Sequence, residues 1–561
     1  MKGLDGFWAW WKRDKRYVVL CKALLLALLP AVCCIVSAAA EGRNIGEVYL
    51  PGSEWNDELF YYKQVENMVR FGYPQGYFGF NESHGLKLSF AAWSPVLVLP
   101  WVVWGLLFGW NLMSPVLCNM ALMMAAMFVF VWLVKPTWKQ MGVLTFLFCL
   151  YTLFVRYILS GMPEIICISH LIVFYGLAVS HGRREHPGKL AGLFAIAGLL
   201  TLMRPYMLLF LLLPAYYWIS AARRRGRMWQ GILGSAAVSG AFLVCYALLK
   251  HYFGAEYFAP LFFTDWITTF FTAGFREGLL NFLHTLYWKG LDFCAYAIQG
   301  IRTGWTSGAF FVGYLVTMAV LIWQTVADGM RLRRSAAEPG PREVLADPDS
   351  RKSPAGTGSR DRTDSLRAQF VAEAHLALSF VGMLVALLLM YKLIEGSKHL
   401  LTFIAAGIFV VALMETRFFK KAVILGAAFA YLYSYMAVDA YDYQVPYLQK
   451  ERQAQVEEWR VRFADSLELT RENTPNYENV VIWVFNEQND SGENMKWQLL
   501  YALPEGFGIS CCKKEYVLEN FDRLNSRYIV AQTGAETAAR CETAGLRELA
   551  RDEDIVLYAR Y

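Results

Sequence analysis

Along most of the chain, long apolar runs alternate with short polar breaks rich in Lys and Arg. The runs fall at residues 18–40, 92–110, 113–134, 141–159, 165–180, 190–203, 207–221, 231–249, 305–327, 372–391, 400–414 and 422–438. Helices of roughly 20 apolar residues span a bilayer, so most of these runs predict transmembrane helices. If every run crossed, the basic breaks at 135–140, 181–189 and 223–227 would lie outside, against the rule that cationic loops stay in the cytoplasm. Run 92–110 is the one to set aside, because Pro95 and Pro100 interrupt it and it is rich in Trp. That choice predicts about eleven spans, with the N-terminus inside and the C-terminus outside. The Arg-, Pro-, Gly- and Ser-rich stretch at 328–371 then reads as a disordered cytoplasmic linker.

From residue 443 the pattern changes. Residues 451–467 have the spacing of an amphipathic helix, and 480–485, 527–532 and 555–560 read as strands. The predicted fold class is therefore a mainly α polytopic membrane protein, residues 1–442, followed by a small extracytoplasmic α/β domain, 443–561. Residues 41–112 form a first outer loop with juxtamembrane helices.

Composition agrees with this division. The 561 residues are 56% hydrophobic and 18% charged, more apolar surface than a soluble domain buries. A net charge of +6, carried in short interhelical breaks, reports orientation and excludes nucleic acid as a partner. Most cysteines lie in apolar runs. Cys511, Cys512 and Cys541 lie in polar sequence, where a bridge to Cys541 is open but no disulfide framework exists. Phosphate-binding glycine loops, zinc-spaced Cys/His sets and a G-x-S-x-G elbow are all absent from the sequence.

Topology collects the chemistry on the outer face. "NDELFYY" (56–62) opens the first outer loop with Asp57 and Glu58, whose side chains point about 100° apart on a helix. They serve either a wet cavity or a solvated loop. Glu164, closing "SGMPE" (160–164), reaches the same face; its alternative role is to offset a helix N-terminus. Arg204 ends a span there, as phosphate ligand or snorkelling anchor. Lys392, Glu395, Lys398 and His399 sit in the late outer loop "KLIEGSKH" (392–399), and its cations suit an anionic lipid headgroup. Tyr61, Tyr77, Asn81 and His84 offer ring faces and hydrogen-bond groups for a sugar, or an ordinary interfacial belt.

A first span, an Asp-Glu pair opening a large outer loop, a second outer acid about 100 residues on and a late basic outer loop together resemble the GT-C superfamily of membrane glycosyltransferases. That group includes the protein O-mannosyltransferases and the aminoarabinose transferase. The resemblance implies inverting transfer of a hexosyl or pentosyl unit from a polyprenyl-phosphate-linked donor to an extracytoplasmic glycan, lipid or protein. It implies that Asp57 is the base, with Glu58 and Glu164 as supporting acids. Lys398, His399 or Arg204 would hold the leaving phosphate. Beside what the resemblance carries over, the residue types themselves add Lys392 to the donor-phosphate set and Tyr61, Tyr77, Asn81 and His84 to the sugar and acceptor pocket. The outer domain fits an envelope protein in the plasma membrane of a prokaryote. No cofactor is expected. Some relatives use a divalent cation, for which a single Glu164 without a neighbouring Asp is a poor match. Two alternatives share the hydropathy: a flippase for a lipid-linked glycan, and a non-catalytic scaffold with an outer binding domain.

Overall fold

The first apolar run forms α1 (Lys15–Ala40). Its small buried residues Ala23, Cys34 and Ala38 let it pack closely along α4 (Ser114–Val134). The computed structural model describes residues 15–40, 42–51, 56–72, 78–82, 94–151, 153–253, 264–303, 306–337, 357–391, 393, 397–413, 450–470, 476–485, 487–492 and 497–560. Between these two helices lie α2 (Asn56–Phe71), β1 (Phe78–Phe80) and the short apolar α3 (Leu99–Phe108). Then follow α5 (Trp138–Leu150), α6 (Leu153–Ile158), α7 (Glu164–Arg183) and α8 (Pro187–Met203). Next are α9 (Leu212–Arg224), α10 (Met228–Phe253), α11 (Asp265–Thr272) and α12 (Phe275–Thr303). The bundle closes with α13 (Thr306–Ala337), α14 (Thr357–Met390) and α15 (Leu400–Val411). α7 is the central helix, apolar on every side and packed against α4, α8, α14 and α15.

Among the described residues seven helices are long and apolar enough to cross a membrane, and three shorter apolar ones cover Pro95–Phe108, Pro187–Met203 and Leu400–Val411. The chain is a multi-pass membrane protein. The expected eleven spans are not reproduced among these residues. Run 141–159 breaks at Tyr151 into α5 and α6, and Phe148 stacks on Phe154 across the break at 5.3 Å. Run 92–110, set aside as non-crossing, holds the short apolar helix Pro95–Phe108, and run 422–438 lies outside the described residues. The linker expected over 328–371 also needs correction. α13 continues to Ala337 and α14 starts at Thr357, so helix invades both ends of that stretch.

The C-terminal region contains α16 (Lys450–Ser466), β2 (Val480–Phe485), β3 (Gly508–Lys513), α17 (Lys514–Glu519), β4 (Tyr528–Gln532), α18 (Glu536–Thr543), β5 (Arg547–Arg551) and β6 (Ile555–Ala559). α16, β2, β4 and β6 fall where the pattern predicts them. The sheet has six strands in the order β1-β3-β2-β4-β6-β5, with β1 to β4 parallel. Its edge strand is a correction to the division at residue 443, because β1 comes from the first outer loop and pairs Phe78 with Ile509 and Phe80 with Cys511. Strand alternation sends Val481, Trp483 and Cys511 to one face, against Trp459 and Phe463 of α16 and Leu59, Phe60 and Tyr62 of α2. Ile482, Cys512 and Cys541 fill the other face. All three of these cysteines are free, so the bridge to Cys541 is not formed. α2 is thus clamped between the sheet domain and the helix bundle, where Tyr61, Val65 and Met68 pack.

Candidate active site at one end of the helix bundle

The loop before α7 is held in shape by buried polar contacts. Asn119 of α4 is buried, accepts a hydrogen bond from Trp101 Nε1 at 3.0 Å and donates from Nδ2 to the Ser160 carbonyl at 2.9 Å. Ser160 Oγ donates to the Tyr157 carbonyl and accepts from the Met162 N–H, which turns the chain toward Glu164. Gly161 donates its N–H to Glu58 Oε1 at 2.9 Å. Its lack of a side chain matters here, since a Cβ would stand 3.2 Å from Glu58 Cβ and 3.0 Å from Leu50 Cδ1. Glu58 therefore locks the first turn of α2 onto the loop that carries Glu164.

Glu164, Arg204 and His399 lie side by side, each 2% exposed or less. Arg204 Nη2 donates to Glu164 Oε1 at 2.7 Å, while Nη1 donates to His399 Nδ1 at 2.6 Å and to Tyr206 Oη at 3.1 Å. The rings of Tyr206 and Tyr391 flank His399, with centroids 5.4 and 5.6 Å away. Burial, then the nearby charges of Arg204 and Lys398, hold His399 well below the usual histidine range. A neutral ring accepting at Nδ1 carries its proton on Nε2.

Lys398, one residue earlier, forms an ion pair with Asp57 Oδ2. Burial opposes the ammonium charge, but Asp57 and Glu164 outweigh it and raise the Lys398 pKa above the ordinary lysine value. Lys398 and Asp57 are 27% and 32% exposed, so this is the open side of a cluster whose inner half is closed. Four segments far apart in sequence thus meet at the N-termini of α2, α7 and α15 and the C-terminus of α8. The basic residues Arg183, Arg224 and Arg334 lie at the opposite helix ends.

Six of the residues expected from the sequence are therefore joined: Asp57, Glu58, Glu164, Arg204, Lys398 and His399. Tyr61 is buried on α2 and interacts electrostatically with Arg204. Asn81 is placed otherwise than expected. It sits just past β1 at φ 48°, its N–H bonded to the Cys511 carbonyl and its side-chain oxygen accepting from the Lys513 N–H, because pairing of β1 draws it into the sheet. Lys392, Tyr77 and His84 lie outside the described residues. Asn119, Gly161 and Tyr206 were missed; an Asn in an apolar run is the one cue that pointed to any of them.

For a divalent cation the donor set is a poor fit. Among the described residues no three His, Cys, Asp or Glu side chains converge, and Asp57 and Glu58 are engaged separately by Lys398 and Gly161.

No family model matches the chain, and no curated protein does. Among solved structures, ArnT from Cupriavidus metallidurans bound to undecaprenyl phosphate aligns over 96% of this chain and 97% of that one, at 11% identity and a TM-score of 0.42. The same protein in its apo state aligns over the same shares, at 10% identity and 0.42. Likeness at this level does not by itself define a common fold.

Proposed function

We propose that the protein is a membrane glycosyltransferase moving a sugar from a polyprenyl-phosphate-linked donor to a hydroxyl group on the extracytoplasmic side, with inversion and with Asp57 as base. The observation that carries this reading is the line of residues at one rim of the bundle, the part-exposed Asp57–Lys398 pair followed by His399, which accepts from Arg204 of the buried Arg204–Glu164 pair. The GT-C resemblance of the sequence names the same residues. Basic residues at the far helix ends support an extracytoplasmic site.

In the proposed reaction the donor phosphate draws Lys398 away from Asp57, so donor binding frees the base. The acceptor oxygen attacks the anomeric carbon from the face opposite the phosphate, and its proton passes to Asp57. The sugar–phosphate C–O bond breaks and polyprenyl phosphate leaves with the electron pair. A positioned base contributes about 10²–10⁴-fold, and Lys398 with Arg204 would stabilise the charge that grows on the leaving phosphate. Glu164 keeps Arg204 charged and aimed; neutral His399 buffers Arg204 without adding charge.

One observation favours a flippase instead. Asp328 and Glu373 are buried within neighbouring spans, the setting of proton relays in transporters. Purified protein with radiolabelled sugar on polyprenyl phosphate, wild type against Asp57→Asn, decides between them. Label transfer by wild type alone supports the enzyme. Transfer by neither, with glycolipid translocation in proteoliposomes abolished by Glu373→Gln, supports the flippase.

A further inference from the structure

α2 carries two buried amides that the proposed reaction leaves unused. Gln64 and Asn67 are 3% and 1% exposed. Among the described residues the Gln64 nitrogen and oxygen and the Asn67 oxygen have no hydrogen-bond partner. Their neighbours on the same helix differ. Lys63 bonds to Glu66 at 2.8 Å and to the Leu503 carbonyl at 2.6 Å, so the side of α2 toward the C-terminal domain is matched.

At about 100° per residue, Gln64 falls within roughly 20° of Asp57 and about 10 Å further along the axis, and Asn67 lies roughly 60° further round the helix. Tyr61, Val65 and Met68 face the bundle core, and Leu59, Phe60 and Tyr62 face the sheet domain. Asp57 and Gln64 therefore lie along the seam between the two bodies, with Asn67 on its sheet-domain side.

A buried polar group left unmatched destabilises the fold, so two amides retained one helical turn apart call for a partner. Each amide offers donors and an acceptor without charge. Hydroxyl groups have the same dual character; phosphates and carboxylates do not. We infer that Gln64 and Asn67 form a subsite for the neutral, hydroxyl-rich part of the acceptor, which makes the acceptor an oligosaccharide extending more than one sugar unit from the attacked hydroxyl. This inference rests on the proposed transfer reaction and names its acceptor class.

The test uses full-length purified protein, labelled polyprenyl-phosphate donor, and envelope polysaccharide of the source cell hydrolysed and sized into single sugars and fragments of two or more. Envelope protein and lipid fractions are run in parallel. Gln64→Leu and Asn67→Leu keep volume while removing polarity, and each is checked for folding by its melting temperature. Wild type is expected to prefer the longer fragments, and either variant to raise KM for them about tenfold and erase that preference. Unchanged KM in both folded variants means the amides hold only water and overturns the subsite. Transfer to protein or lipid alone, or equal use of all fragment lengths, also overturns it while the transferase reading stands. No transfer to any fraction overturns both.

Discussion

Asp57 and Lys398, 341 residues apart in sequence, form an ion pair at the open edge of a buried cluster of charges. In the proposed reaction the pair cannot persist while Asp57 takes a proton, so on that reading it corresponds to the state before a donor binds.

Replacing Asp57 by Asn is expected to lower kcat by about 10²–10⁴ with little change in melting temperature, because a part-exposed ion pair adds at most about 1 kcal/mol to stability. Lys398→Met is expected instead to raise KM for the donor. Steady-state kinetics and thermal melts of both variants separate the two roles.

The Glu164–Arg204 pair is fully buried, which reverses that balance. Removing one partner strands a charge and costs about 3–5 kcal/mol, whereas removing both costs less. Glu164→Leu should therefore melt at a lower temperature than the double variant Glu164→Leu with Arg204→Met. A double variant that melts lower still would contradict this.

Acid sensitivity follows from His399. Its pKa is depressed in the folded state, so between the unfolded value of about 6.5 and the lower folded value the unfolded chain binds the extra proton, and stability falls as pH falls through that window. The pH 8 to pH 5 drop in melting temperature should be smaller in His399→Gln than in wild type. Lys398 acts at the other extreme: its raised pKa gives stability that is complete below about 10.5 and is lost as pH climbs past the folded value.

Gly161→Ala should cost about 1–3 kcal/mol and lower kcat, since the new methyl would crowd Leu50 and push on Glu58. Glu58→Gln, which keeps an acceptor for the Gly161 N–H, should be milder than Glu58→Ala in both respects.

Glu82 ties the first outer loop to the C-terminal domain. Its carboxylate accepts from the Ser526 N–H at 2.7 Å, from Ser526 Oγ at 2.5 Å and from the Asn525 N–H at 3.0 Å. Glu82→Ala would orphan these donors at about 1–3 kcal/mol each, and hydrogen exchange should rise in residues 508–532. Unchanged exchange there would mean that Glu82 is dispensable.

The helices and the charged cluster were readable for one reason: both are written in where charges interrupt apolar runs. Counting crossings puts Asp57, Glu164, Arg204 and Lys398 on one side without any knowledge of packing. What stayed hidden depends on partners. Nothing in "FGF" announces a strand whose neighbour is "GISCCK", and nothing local marks Tyr151 as the end of a helix. The helical ends of the supposed linker were obscured by their charge, which suits an exposed helix as well as a disordered chain. The place of Asn81 in the sheet was hidden because its partner Lys513 lies 432 residues downstream.

The edge strand also sets an order of assembly. β1 leaves the ribosome long before the strand it must join, and the Glu82 N–H waits for a Ser510 hydroxyl 428 residues downstream. At about 5–20 residues per second, translation leaves that short strand without its mate for roughly 20–90 seconds. During biogenesis the nascent first loop therefore depends on brevity, or on a chaperone, to avoid foreign strands, and a prematurely terminated chain would keep that sticky edge for good.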